Sequence, residues 1–300
     1  HLPDGDGHRF GRDGFDEGRH AVDGILALEL CHRPPVGRAR GKRFPLGPSV
    51  ETVKSGVASC SSREYPAPMK LETFGDDGDD RLVFVLGWGN RPRFDGVRWL
   101  VDHLVEAGYR VDTLEIPRTI TDFESEYLDP VQSHLDDLAE YRLLSHSTGG
   151  LITRYVADDD PVTRTYLSPW WGFHESLDNP VVSLAMKVPI STPILPASSD
   201  RAELGELATD EWYADAPDYA APTFLREAKR AQERMPPFDT DDAVFYSPTD
   251  TIVSPDAIEV QTPRENRIAY EGGHELFNSS SRDEHIEQVL AAVDTGADAL

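Results

Sequence analysis

The sequence predicts an α/β domain with a mostly parallel sheet that begins near residue 71. Two observations support this class. Short apolar segments alternate with amphipathic ones from Leu71 onward, and glycines end both the first apolar run and the first amphipathic segment. Strands that alternate with helices on short connections imply right-handed crossovers and helices on both faces of a parallel sheet. We therefore expect ligands to bind beyond the carboxyl ends of the strands.

The individual elements follow from the same patterns. RLVFVLG, residues 81–87, is a buried strand, and residues 94–108 place apolar side chains on one helical face before a glycine. Pro130 lies inside a further helical segment, where it would kink the helix or mark a late start. The remaining strands are predicted at 109–117, 141–145, 162–169, 243–250 and 266–273, and the remaining helices at 125–141, 149–159 and 282–293.

Residues 170–238 interrupt this alternation. They contain three aromatic clusters, several prolines and the helix-like segment PTFLREAKRAQERM, residues 222–235. We interpret them as an insertion, so the core is predicted to consist of residues 69–169 and 239–300.

Residues 1–68 differ in character from everything that follows. They are rich in Gly, Arg and Pro, lack sustained apolar periodicity and contain both cysteines, Cys31 and Cys60. About 10 basic and about 9 acidic residues fall in this segment, so nearly all of the negative balance lies after it. We interpret the segment as a disordered extension or as upstream read-through before a true start at Met69. An irregular N-terminal domain is the alternative.

Charge and composition exclude several classes of partner. The chain has 54 acidic and 29 basic residues and a formal net charge of −25, which would repel phosphate backbones and anionic lipid surfaces. Nucleic acid is therefore not an expected partner, and the acidity is similar to that of haloarchaeal proteins. No stretch of about 18 uncharged apolar residues could span a membrane. Two cysteines are too few for a disulfide framework or a cysteine-based metal site, no HExxH motif occurs, and we expect a cytoplasmic protein without a metal or other cofactor.

The segment LLSHSTGGLITRYV places Ser147 between an apolar strand and an apolar-faced helix. A residue on a sharp strand-to-helix turn has strained backbone angles, and only small residues fit two positions before and after it. Ser145 and Gly149 meet this requirement. The turn would lift the Ser147 hydroxyl above the end of the sheet. A serine-rich turn that only caps the helix is the alternative.

This segment resembles the nucleophile elbow of the α/β-hydrolases, whose pattern is GxSxG. His146 before the serine and the pair Gly149 and Gly150 after it match the commonest form, whereas Ser145 stands where the family has glycine. The resemblance extends in order over roughly residues 71–294. It implies an α/β-hydrolase fold in which the insertion forms a helical cap over the active site.

In this family the chain order of the catalytic triad is Ser, then Asp or Glu, then His. His274 follows a predicted strand and two glycines, and the phrase GGHELF is similar to the histidine region of esterases and monoacylglycerol lipases. Asp250 ends a strand in the phrase SPTDTIVSP, which resembles the acid loop of the family. A carboxylate there would orient the histidine and stabilise its cation. Asp256, which we expect to cap a helix, and the pair Asp241 and Asp242 are the alternatives.

The resemblance also implies an oxyanion hole formed by the backbone N–H groups of Thr148 and Trp88. Thr148 follows the nucleophile, and Trp88 lies in LGWGN, which resembles the His-Gly-x segment of the family. Leu86 replaces the histidine that normally buttresses this loop. A tight turn with an incomplete hole is the alternative.

Aromatic residues of the insertion are the candidates for substrate binding. Trp170, Trp171 and Phe173 leave a strand end beside the expected site, and Trp212 and Tyr213 follow. We predict that the first three line an apolar pocket. Alternatively, these rings only attach the cap to the core.

These residues imply a serine hydrolase that cleaves small-molecule carboxylic esters through an acyl-serine intermediate. The same triad would also serve an amidase, a thioesterase or an acyltransferase. A non-catalytic binding protein with this fold is the alternative from another class.

Overall fold

The computed structural model of the chain describes residues 68–77, 80–157, 161–175, 177, 180–197 and 200–300. The predicted N-terminal extension lies outside the described residues, apart from Pro68. Within the described ranges, no helix is both long and apolar enough to cross a membrane.

A seven-stranded sheet forms the centre of the described part of the chain, in the spatial order β1-β3-β2-β4-β5-β8-β9. The edge strand β1 pairs antiparallel with β3, and the other neighbouring strands pair in parallel, which confirms the predicted mostly parallel sheet. Two short strands, β6 and β7, pair separately within residues 170–238, the predicted insertion. The strands are β1 (Lys70–Phe74), β2 (Asp80–Val85), β3 (Tyr109–Glu115), β4 (Arg142–His146), β5 (Arg164–Leu167), β6 (Leu195–Pro196), β7 (Tyr219–Ala220), β8 (Ala243–Tyr246) and β9 (Arg267–Ala269).

Helices lie on both faces of this sheet and in the insertion. They are α1 (Asp95–Glu106), α2 (Asp129–Leu135), α3 (Thr148–Thr153), α4 (Pro180–Ala185), α5 (Arg201–Leu204), α6 (Asp210–Asp215), α7 (Pro222–Glu233), α8 (Pro255–Gln261) and α9 (Arg282–Thr295). Short helical turns cover Glu124–Leu128, Arg264–Asn266, Leu276–Asn278 and Gly296–Ala299.

The core has two halves because strand side chains alternate between the faces of the sheet. In β2, Val83 and Val85 point to the half that contains α2, α3 and α7. Leu82 and Phe84 point to the half that contains α1 and α9. All four side chains are completely buried, and burial of a side chain of this size contributes about 1.5–3 kcal/mol. The result is the predicted three-layer arrangement with helices on both faces.

The insertion contributes to both halves of the core. Phe224 of α7 packs in the first half, and Trp212 of α6 packs in the second. Pro222 begins α7, where its missing N–H group is tolerated and its fixed φ angle suits the helix.

Two predictions about helices need correction. The segment 125–141 is not one helix: a π-helical turn precedes α2, Pro130 lies in the first turn of α2, and the helix ends at Leu135. Leu138 packs against the core although it lies after the end of the helix. Its position in the sequence therefore fitted the apolar pattern of a longer helix. In α8 the capping side chain is Ser254, whose hydroxyl accepts a hydrogen bond from the Ala257 N–H group, and not the predicted Asp256.

Candidate active site

Ser147 occupies the turn between β4 and α3, as predicted. Its φ of 52° and ψ of −117° fall in a region that costs a non-glycine residue about 1–3 kcal/mol. The surrounding backbone holds this conformation, because the Ser147 N–H group donates to the Leu167 carbonyl at 3.1 Å and the Trp170 N–H group donates to the Ser147 carbonyl at 2.9 Å. The strain is therefore maintained by β5 and by the chain that follows it.

Small residues beside Ser147 are required by the strand below. A Cβ atom at Gly149 would lie 2.2 Å from the Val85 carbonyl oxygen, so a larger residue would displace β2 or α3. Ser145, which stands where the family has glycine, is completely buried, and its hydroxyl accepts a hydrogen bond from the Thr153 hydroxyl at 3.0 Å. The departure from GxSxG is thus accommodated by a partner within α3.

His274 and Asp250 form a buried pair. The distance from His274 Nδ1 to Asp250 Oδ2 is 2.7 Å, and both side chains are almost fully buried. The other carboxylate oxygen, Oδ1, accepts hydrogen bonds from the Ile252 and Val253 N–H groups at 2.8 and 3.0 Å. Asp250 is therefore fixed by the backbone of its own loop and holds one ring nitrogen of His274.

The two buried histidines of this region have opposite pKa shifts. Burial opposes the charged form of His274, but the carboxylates of Asp250 and Glu275 outweigh burial and raise its pKa above the usual value. Burial and the proximity of His274 hold the pKa of His146 well below its usual range. The ring centroids of the two histidines are 4.8 Å apart. Of the two rings, His274 is the one whose positive charge is stabilised by carboxylates, those of Asp250 and Glu275.

The alternative acids lie elsewhere. Asp256 and Asp241 are exposed, and Asp242 lies 3.8 Å from the guanidinium group of Arg164. Asp250 is the aspartate that contacts His274.

Ser147, Thr148 and His274 line one cavity of about 280 Å³. Trp170, one of the predicted substrate-binding residues, also lines this cavity, and so do Trp212 and Tyr213 of the insertion.

Trp171 and Phe173, the other two predicted substrate-binding residues, lie outside the described lining of the cavity. The Trp171 ring is buried between Tyr166 and Phe238, and its indole N–H group donates to the Gly150 carbonyl. The Phe173 ring packs against Trp170, with the ring centroids 5.0 Å apart. The contacts of both rings correspond to the alternative of attachment to the core.

The loop after β2 forms a tight turn. The Asn90 N–H group donates to the Gly87 carbonyl at 3.1 Å, and Gly89 has a φ of +87°, a value that favours glycine at this position of a type II turn. Trp88 is the other central residue of the turn. Its ring stacks on Phe224, and its indole N–H group donates to the Arg118 carbonyl, so the loop is anchored to the insertion and to the core.

Two buried polar residues of the cavity are missing from the sequence predictions. Asn90 and Glu275 are buried, line the cavity and join each other through a hydrogen bond of 2.8 Å between Asn90 Nδ2 and Glu275 Oε1. The motifs LGWGN and GGHELF predict roles for the nearby residues Trp88 and His274. The contact between Asn90 and Glu275 joins positions 185 residues apart, and neither motif predicts it.

Across the described residues, no three His, Cys, Asp or Glu side chains are grouped closely enough to hold a metal ion.

The sheet order, the turn at Ser147 and the cavity at the carboxyl ends of the strands define an α/β-hydrolase fold. Solved structures with this fold are similar to the chain. A monoacylglycerol lipase from Paleococcus ferrophilus is 16% identical, and the match covers 78% of this chain and 100% of that one with a TM-score of 0.60. A soluble variant of monoglyceride lipase from Saccharomyces cerevisiae, in complex with a substrate analogue, is 15% identical over 75% of this chain and 91% of that one, also with a TM-score of 0.60. A carboxylesterase structure from the thaumarchaeon Nitrososphaera gargenis is 14% identical over 75% of this chain and 95% of that one, with a TM-score of 0.52.

A comparison with protein-family models gives no match, and neither does a comparison with curated protein sequences.

Proposed function

We propose that the chain is a serine hydrolase that cleaves carboxylic esters, with Ser147 as nucleophile, His274 as general base and Asp250 as the acid that orients it. One observation carries the proposal. A strained serine and a histidine bound to a buried carboxylate line the same cavity at the carboxyl ends of a parallel sheet.

The proposed reaction follows from the contacts of His274. Because Nδ1 donates to Asp250, Nε2 is left as an acceptor, and it takes the proton of Ser147 Oγ as this oxygen attacks the ester carbonyl carbon. The carbonyl oxygen becomes an oxyanion and accepts hydrogen bonds from the Trp88 and Thr148 N–H groups.

Collapse of the tetrahedral intermediate breaks the bond to the alcohol. The alcohol leaves with the proton from His274, and the acyl group stays on Ser147. Water then attacks the acyl carbon, His274 takes a proton from that water, and a second collapse releases the carboxylic acid and returns the proton to Ser147.

The cavity supports an uncharged, partly apolar ester as substrate. Its lining combines the aromatic residues Trp88, Trp170 and Phe224 with the acidic residues Glu203 and Asp218, and within the described residues it includes no Lys or Arg. An anionic ester would find no cationic partner there. Two of the similar structures are monoacylglycerol lipases, which supports neutral esters such as monoacylglycerols as the first substrates to test.

A fluorophosphonate probe tests the nucleophile, because it modifies an activated serine covalently. We expect labelling of the wild-type protein and hydrolysis of p-nitrophenyl butyrate, and we expect the Ser147→Ala variant to lose both while its thermal unfolding stays within a few degrees. Ser133→Ala, an exposed serine of α2, is the matched control and should retain both.

Folded wild-type protein that is neither labelled nor hydrolytic would reject the serine hydrolase and favour the non-catalytic alternative. Labelling combined with turnover of anilides or thioesters, but not of esters, would keep the triad and change the substrate class.

A further inference from the structure

Asn90 lies where three parts of the candidate site meet. It ends the turn that contains Trp88, it is only 3% exposed, and it lines the cavity. The mechanism proposed above gives it no role, although a buried amide needs partners for both its donor and acceptor groups.

The side-chain amide of Asn90 contacts the chain neighbours of two proposed catalytic residues, His274 and Ser147. Nδ2 donates to Oε1 of Glu275, the residue after His274, at 2.8 Å, and lies 3.4 Å from Nδ1 of His146, the residue before Ser147. Because burial and His274 keep the pKa of His146 low, its ring is neutral near pH 7 and Nδ1 can accept this hydrogen bond.

The opposite end of the amide contacts the insertion. Asn90 Oδ1 accepts a hydrogen bond from the Trp212 indole N–H group at 3.2 Å. A flipped amide would turn its oxygen toward the Glu275 carboxylate and its NH₂ group toward the indole N–H group. The orientation of Asn90 is therefore determined by its partners.

Glu275 is itself held in place. It is 1% exposed, its Oε2 accepts a hydrogen bond from Asn278 Nδ2 at 2.5 Å, and its N–H group donates to the Leu204 carbonyl at 2.7 Å. Burial raises the pKa of Glu275, and the amide donors of Asn90 and Asn278 oppose that rise. A carboxyl group with two acceptor oxygens matches two amide donors, so this residue is suited to support Asn90.

Leu86 cannot provide this support, because it is buried among apolar side chains of the second core half. We infer that Asn90, held by Glu275, is a positioning residue that fixes the Trp88 turn relative to Ser147 and His274 and so completes the oxyanion hole. The inference rests on the proposed ester hydrolysis and extends it.

The Asn90→Ala variant tests this inference with p-nitrophenyl butyrate and a trifluoromethyl ketone, which forms a tetrahedral adduct with an activated serine. We expect kcat to fall about 10-fold to 100-fold with KM within about threefold, because a misplaced donor acts in the transition state. The affinity for the trifluoromethyl ketone should fall by a similar factor. Asn266→Ala is the matched control for lost stability, because it removes a buried amide with two hydrogen bonds away from the cavity. It should change neither kcat nor the affinity for the trifluoromethyl ketone.

The Glu275→Gln variant gives a second, milder measurement, since glutamine offers one acceptor oxygen to two amide donors. We expect a smaller parallel loss in kcat and in trifluoromethyl ketone affinity, and the double variant should be no worse than Asn90→Ala because both changes affect one support. If Asn90→Ala does not fold, the kcat and the trifluoromethyl ketone affinity of Glu275→Gln relative to wild type decide the inference.

A folded Asn90→Ala variant whose kcat and trifluoromethyl ketone affinity are both within about twofold of wild type would overturn the inference. So would a loss of thermal stability without a parallel loss of trifluoromethyl ketone affinity. Both outcomes presuppose active wild-type protein, so they are distinct from a wild type without labelling or turnover, which would reject the proposed function itself.

Discussion

Asp250 presents its two carboxylate oxygens to different partners, which makes the effect of an amide at this position predictable. Oδ1 accepts from the Ile252 and Val253 N–H groups, and Oδ2 contacts His274 Nδ1. In Asp250→Asn the amide oxygen keeps the two backbone donors, so the NH₂ group faces His274. That contact selects the His274 tautomer with its proton on Nε2. A protonated Nε2 cannot accept the proton of Ser147.

We therefore expect Asp250→Asn to lower kcat about 10³-fold to 10⁴-fold with little change in KM, a loss no greater than that in His274→Ala. Steady-state kinetics with p-nitrophenyl butyrate measures both variants. Asp256→Asn, on the exposed surface of α8, is the matched control and should behave as wild type. Near-normal turnover in Asp250→Asn would assign the acid role to another residue.

The raised pKa of His274 predicts the direction of the pH profile. The base works as neutral imidazole, so activity is present above this pKa and is lost as the pH falls through it. We expect the acidic limb of kcat/KM to have its midpoint above about 6.5, and the Glu275→Gln variant, which lacks one carboxylate beside His274, to shift it to lower pH. Profiles of kcat/KM between pH 5 and 9 check both statements, and a wild-type midpoint well below 6 would contradict them.

Much of the candidate site could be predicted because its residues sit in local motifs. The turn at Ser147 needs small neighbours and a strand-to-helix change, and both are visible within a few positions of the sequence. Asn90 and Glu275 could not be predicted in this way, because their roles depend on a contact between distant segments. Trp171 carries the same aromatic signal as Trp170, and only the strand beneath decides which ring faces the cavity.

At the scale of elements, the parallel strands were predicted well because each is a compact apolar run. Helix ends were predicted less well. The 125–141 segment carried one apolar pattern across a π-helical turn, α2 and a following turn, since Leu138 contacts the core without being helical. The antiparallel pairing of β1 with β3 depends on long-range contacts that no local period encodes.

The edge of the sheet depends on a buried carboxylate in β3. Asp112 accepts hydrogen bonds from Thr73 of β1 and Arg81 of β2, and it lies 3.2 Å from His134 Nε2 of α2. Burial would raise the pKa of Asp112, but the hydrogen bonds from His134 and Thr73 and the charge of Arg81 outweigh burial and lower it. This residue therefore joins two neighbouring strands and a helix to β3 in its ionised form.

We expect Asp112→Asn to lower the free energy of unfolding by about 2 kcal/mol at pH 7. Because the folded pKa is depressed, the contribution of the carboxylate is present above the unfolded pKa of about 3.9 and is lost as the pH falls through the folded pKa. Urea unfolding at several pH values should show the difference from wild type narrowing below about pH 4. Asp102→Asn, in an exposed pair with Arg98, should change the free energy by less than about 0.5 kcal/mol, and an equal effect of the two substitutions would contradict this account.

At the scale of the whole molecule, ion pairs among the described residues join the insertion to the core. Asp215 of α6 contacts the guanidinium groups of Arg91 and Arg93, and its backbone carbonyl accepts a hydrogen bond from Arg118. The N–H group of His274 also donates to the Glu203 carbonyl of α5 at 2.8 Å. The insertion thus supports the loop of the candidate base and also lines the cavity.

Salt acts on both attractive and repulsive charge pairs, and their numbers decide the net effect on stability. Exposed pairs such as Arg93 with Glu211 contribute only about 0–1 kcal/mol each, whereas the 25-charge excess of acidic residues creates repulsion throughout the folded chain. The screening length falls from about 10 Å at 0.1 M to about 3 Å at 1 M salt, so added salt should remove more repulsion than attraction.

We expect the melting temperature to rise by several degrees between about 10 mM and 0.3 M KCl and then to level off. NaCl should act equally, because screening depends on ionic strength rather than on the ion. Calorimetry at a series of salt concentrations measures this, and a constant or falling melting temperature below 0.3 M would mean that the ion pairs of the insertion outweigh the repulsion.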